Sequence, residues 1–306
     1  MQVQIRAKAV SSPMRSPFLR SIRLELLGLL LFVVLFSLLR GIGAALTPSG
    51  LIGLGLGMAA VPALLWLAVF YRIDQAEPEP KQLVVRVYLA GLLVAAALHQ
   101  PIYEVWFESS RWLGNYWWSQ LFGGILVTGM ASAAIVYATV RVTIFADPEF
   151  DERLDGILYA VAAGLGVATV HNFVYVIQHG GVDLQIGSIR MVVDTLGYAS
   201  MPGVLGYFIG QARFEKTPLY YLPAGVTLSA ILTGLYFFLI DRTGQEGLHA
   251  EPWRDLALGI FWTLLVLGAV SWLVRRANEE TARVALLAGE SWVTQDDSIP
   301  PTGAVQ

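Results

Sequence analysis

Eight apolar stretches of roughly 17 to 23 residues follow one another along this chain, each long enough to cross about 30 Å of hydrocarbon. They lie at 24–42, 49–70, 83–104, 118–140, 155–177, 188–210, 219–240 and 255–274. Lipid offers no water to satisfy a bare backbone, so each stretch is expected to be a helix. A membrane β-barrel would need short alternating segments, and none is present. The expected fold is therefore all-α, a polytopic transmembrane bundle of about eight helices. It has a basic N-terminal segment at 1–23, the bundle at 24–274 and a C-terminal tail at 275–306.

Composition supports this and removes other classes. Of 306 residues, 56% are hydrophobic and 14% charged, far below the charge of about 25% usual in soluble domains. There is no cysteine, hence no disulfide, thiolate ligand or cysteine nucleophile. The formal net charge of −3 comes with no basic tract that would hold nucleic acid.

Orientation follows from Lys and Arg. Fifteen of the 20 fall at the N-terminus, the C-terminus and the segments joining spans 2–3, 4–5 and 6–7. Arg40, Arg111, Arg190, Arg242 and Arg254 fall on the other side. The positive-inside rule places both termini in the cytoplasm. The first span lacks a small-residue cleavage site and reads as a retained helix.

Small residues should mark where helices approach closely in lipid. Span 5 has Ala160, Gly164 and Ala168 on one face, continued by Asn172, and span 6 has Gly203, Gly206 and Gly210. These two spans are expected at the centre. Polar residues at membrane depth need a reason. His99, His171 and Asp194 are candidates to meet near the outer face, as a hydrogen-bonded cluster or, on another reading, a metal site. The segment 103–118 carries Trp106, Trp112, Trp117 and Trp118 with Phe107 and Tyr116. It reads as an interfacial belt, or as a platform for a pigment, quinone or partner. The acidic groups Asp74, Glu77 and Glu79, and Asp147, Glu149, Asp151, Glu152 and Asp155, read as helix caps.

Three stretches carry a resemblance. "YRIDQAEPEPKQLVVRVYLAGLL" (71–93), "FDERLDGILYAVAAGLGVATVHNFVYVI" (150–177) and "LGYFIGQARF" (205–214) are similar, in order, to segments of the PrsW-type intramembrane metalloproteases. The resemblance covers about residues 60–240 and implies a bacterial inner-membrane protein of that fold. It also implies where the chemistry should be. The family's paired glutamates, with a lysine three residues beyond the second, map onto Ser132, Ala133 and Val136. The glutamate of its E-N-x-x-Y pattern maps onto His171, with Asn172 and Tyr175 kept. Its later histidines map onto Tyr198 and Thr233, and an acid onto Phe237.

Metal-assisted hydrolysis requires several ligands and usually a carboxylate base. Ser132, Ala133, Tyr198 and Thr233 cannot supply them, and Ser132 has no adjacent Lys or His as a base. The expectation is a PrsW-like pseudoprotease with no catalytic residue and no metal. It would serve as a structural, assembly or regulatory subunit among other membrane proteins and lipids, with contact to lipid, pigment or quinone open. The alternatives are an active metalloprotease with relocated ligands at His99, His171 and Asp194, or a transporter or sensor.

Overall fold

A computed structural model describes residues 15–43, 45–73, 80–113, 115–245 and 252–272. Eight long helices are present among them: α1 (Arg15–Leu38), α2 (Pro48–Ile73), α3 (Lys81–Trp106), α4 (Trp117–Thr143), α5 (Arg153–Gln178), α6 (Leu184–Phe214), α7 (Tyr221–Gln245) and α8 (Pro252–Trp272). No strand occurs among the described residues. The chain is an all-α, multi-pass membrane bundle. The acidic residues Asp74, Glu77 and Glu79 and the tail at 275–306 lie outside the described residues.

Six of the helices, α2, α3, α4, α5, α7 and α8, are long and apolar enough to cross a membrane by length and composition. The other two depart from that rule for different reasons. In α1 the apolar part is shorter, Leu26–Leu38. In α6 the 31 residues include Arg190, Asp194 and several small polar side chains. That polarity is tolerable because α6 faces protein: most of its residues from Leu184 to Gly210 are buried.

The centre is α5 against α6, as the small residues suggest. A Cβ on Gly156 would lie 2.6 Å from the Gly210 amide and still closer to the Gly206 carbonyl. Gly164 leaves room for the ring of Pro202, 2.6 Å from where its Cβ would stand. On its other side α5 meets α3 as closely, with Gly91 against the Ala163 carbonyl and a Tyr88–Thr169 hydroxyl contact of 3.1 Å. Backbones that approach this closely exchange dispersion contacts that bulky side chains would forbid. Hence most of α5 is buried.

The start of α5 is fixed by Asp155. Its carboxylate accepts N–H groups from Asp151 at 3.0 Å and Glu152 at 2.7 Å, closing a capping box. Arg153 then pairs with Glu215 at 2.6 Å, tying the start of α5 to the end of α6.

Two π-helical turns were not legible in the sequence: Pro101–Trp106 at the end of α3 and Gly124–Gly129 inside α4. Pro101 has no N–H to donate, which loosens the ladder where the first begins. Gly124 and Gly129 bound the second, and Gly129 sits against the Ala230 backbone of α7. Trp106, Trp117 and Trp118 are exposed. Trp112 differs from the expected belt: its ring packs against Gly123, and its indole N–H donates to the Phe107 carbonyl at 2.7 Å.

Candidate functional site

Three side-chain rows at i, i+4 spacing face one another at one end of the bundle, the spacing that stacks neighbours along a helix face. They are His99 and Tyr103 on α3, His171 and Tyr175 on α5, and Arg190, Asp194 and Tyr198 on α6. Together with Glu104, Thr128 and Phe237 they line a cavity of about 430 Å³. Both π-helical turns contribute to it, Tyr103 and Glu104 from the first and Thr128 from the second. An extra residue per turn re-aims side chains, and such turns recur at functional sites.

The interior is a packed group of rings. The His171 imidazole lies flat on the Tyr198 phenol, centroids 4.8 Å apart with 13° between planes. His99 meets His171 edge-on at 5.2 Å. Tyr103 touches both, at 4.8 Å from His99 and 5.6 Å from His171. Phe237 closes the far side, 4.9 Å from Tyr198. The side chains of Tyr103 and Tyr198 both reach Ser132, which itself donates to the Thr128 carbonyl at 2.6 Å.

The mouth is charged. Arg190 pairs with Asp194, Nε to Oδ2, at 3.7 Å, and its guanidinium carbon lies 4.3 Å over the Tyr175 ring. His179 closes α5, its Nδ1 2.9 Å from the Tyr175 carbonyl.

His99, His171 and Asp194 thus line one cavity, but they do not form a ligand set. Among the described residues, no group of three or more His, Asp or Glu side chains could hold a metal ion. Asp194 is engaged by Arg190. The donors present do not fit a hydrolytic metal, which needs three protein ligands and an open position.

The family-site positions fall around this cavity. Ser132, His171 and Tyr198 come from three helices, and Tyr198 both stacks on His171 and reaches Ser132. Ala133 is buried beside Ser132 and does not line the cavity. Thr233 is buried, donates to the Ser229 carbonyl at 2.8 Å, and stands one turn before the lining residue Phe237. The retained Asn172 is structural: its amide donates to the Met191 carbonyl of α6 at 3.4 Å. Sequence reasoning missed Arg190, Tyr103 and Thr128 as cavity residues. Arg190 and Tyr103 had a signal, their i, i+4 spacing to Asp194 and His99; Thr128 had none.

Comparison with known proteins identifies the family. The family described as PrsW family intramembrane metalloprotease matches residues 79–267. A protein named protease PrsW from Bacillus subtilis is 25% identical over 181 residues, 58% of this chain and 79% of the relative. Its namesake from Shouchella clausii is 27% identical over 225 residues, 73% of this chain and 96% of the relative. That from Oceanobacillus iheyensis is 26% identical over 230 residues, 74% and 97% respectively. No solved structure gives a significant match. With its fold motifs kept and no intact metal-binding triad among the described residues, the chain belongs to the PrsW family as a divergent member.

Proposed function

We infer that this protein is a non-catalytic PrsW-like membrane protein, acting as a structural, assembly or regulatory subunit of a larger membrane complex. One observation carries the reading: where the family resemblance places metal ligands and a base, the His171 and Tyr198 rings stack on each other and Tyr198 reaches the Ser132 side chain. With a seryl hydroxyl and a phenol in place of a carboxylate and an imidazole, His171 is the one nitrogen donor of the three, too few ligands to hold a hydrolytic metal, and no carboxylate among them activates water. The bundle around that cluster keeps its close helix crossings, as expected of a scaffold retained for its surface.

Lys and Arg asymmetry supports cytoplasmic termini and, with bacterial relatives, an inner-membrane location. The exposed Trp106, Trp117 and Trp118 offer a contact surface to lipid or to a neighbouring subunit. A host containing pigments or quinones is the finer form of this reading and rests on that aromatic density alone.

Purification from native membranes in a gentle detergent, with mass spectrometry of the co-purifying chains, tests it. A reproducible stoichiometric partner is the expected outcome. A chain that purifies alone and cleaves a membrane-embedded peptide contradicts it.

A further inference from the structure

Residues 107–113 follow α3 at the end of the bundle that holds the cavity, and two of them, Ser109 and Leu113, are part of its lining. Their backbone starts at a strained corner. Glu108 has φ 45°, the one positive φ outside glycine among the described residues, a left-handed conformation that a side chain disfavours. It stands where the π-helical end of α3 gives way to the short helix Ser109–Trp112.

The segment is bonded to itself. The Trp112 indole N–H donates to the Phe107 carbonyl at 2.7 Å, the Leu113 amide to the Ser109 carbonyl at 3.0 Å, and Glu108 pairs with Arg111. Its ties to the helices are of another kind. Ser109 Oγ donates to the Tyr103 carbonyl at 2.8 Å, and Ser119 Oγ to the Leu113 carbonyl at 3.2 Å. Trp112 and Leu113 pack into the space left by Gly123 of α4, where a Cβ would lie 2.8 Å from the Trp112 ring and closer still to the Leu113 side chain. At Gly129 a Cβ would instead meet the backbone of Ala230. Gly129 thus serves a helix crossing, whereas Gly123 is a socket for two side chains that can withdraw.

We propose that residues 107–113 are a hinged lid on the cavity, turning at Glu108 and latched by Trp112 and Leu113 in the Gly123 socket. Lifting it opens the cavity beside the exposed rings of Trp106, Phe107 and Tyr116, away from the charged mouth at Arg190. The lid is independent of whether the cavity is catalytic.

The chain has no cysteine, so single introduced thiols report on the lid. Thr128→Cys places one in the cavity wall, on the π-helical turn that follows Gly123. Its labelling by a bulky maleimide dye, on the full chain in detergent, follows the open population when opening is fast. In that background Gly123→Ala fills the socket and Trp112→Ala removes the latch, and each should raise the labelling rate roughly tenfold. Ser200→Cys, buried on α6 outside the cavity lining, is the control and should stay as slow in both variants. Unchanged labelling of Thr128→Cys in either folded variant, or an equal rise at Ser200→Cys, overturns the lid. Should Gly123→Ala not fold, hydrogen exchange of Trp112→Ala decides with the labelling. Protection lost in residues 107–113 and kept in α5 is the expected pattern, and loss across the whole bundle overturns the proposal.

Discussion

His171 and Tyr198, from adjacent helices α5 and α6, stack face to face with centroids 4.8 Å apart. Both positions correspond, through the family resemblance, to residues expected to act on a metal. Here they act on each other. The pair therefore distinguishes a packing role from a chemical one, and the distinction can be measured.

If His171 contributes a ring rather than a ligand, His171→Phe should preserve the thermal midpoint of the detergent-solubilised protein and its oligomeric state. Tyr198→Ala removes a ring that is 3% exposed and should cost about 3 kcal/mol, read as a clear fall in that midpoint. Equal losses from both substitutions would contradict the packing role.

Restoring the family's donor set tests the placement of its motifs. The combined change Ser132→Glu, Ala133→Glu, His171→Glu, Tyr198→His and Thr233→His should create zinc binding detectable by dialysis and metal analysis. Tyr198→His alone should not, since one added imidazole does not complete a coordination shell. No zinc in the folded combined variant would show that these positions do not converge on one site.

Gly156, Gly164, Gly206 and Gly210 at the α5–α6 crossing should be intolerant of any side chain. Gly206→Ala places a methyl 2.6 Å from Ile157 Cα and against the Gly156 carbonyl. An overpacked contact of this kind costs about 1–3 kcal/mol. Gly57→Ala meets nothing within 4 Å and should be neutral in the same unfolding assay, or slightly stabilising.

Asp155 is predicted to be a structural acid. Asp155→Ala removes the acceptor of two backbone N–H groups and should cost about 1 kcal/mol. Hydrogen exchange should rise first in residues 151–156, at the start of α5.

Much of the fold was legible because lipid forces regularity. Apolar length located the helices, and the small residues of α5 and α6 marked the central crossing. The position of α6 was harder to weigh by hydropathy, since Arg190 and Asp194 are paid for by burial among neighbours that a single helix does not reveal. The convergence of His99, His171 and Asp194 on one cavity followed from their depth. The stacking of Tyr198 on His171 did not, because it depends on two helices packing at backbone distance through Gly164 and the Tyr198 carbonyl. The π-helical turns were invisible as well. Pro101 and the glycines of α4 permit such turns without requiring them, and their register places Tyr103 and Thr128 in the cavity.

The most direct test of the central claim is the transition-metal content of the protein purified gently from native membranes, measured by mass spectrometry of the elements against protein concentration. The account predicts no metal in stoichiometric amount. One zinc per chain, lost on substituting His99, His171 or Asp194, would contradict it and restore a hydrolytic centre to this cavity.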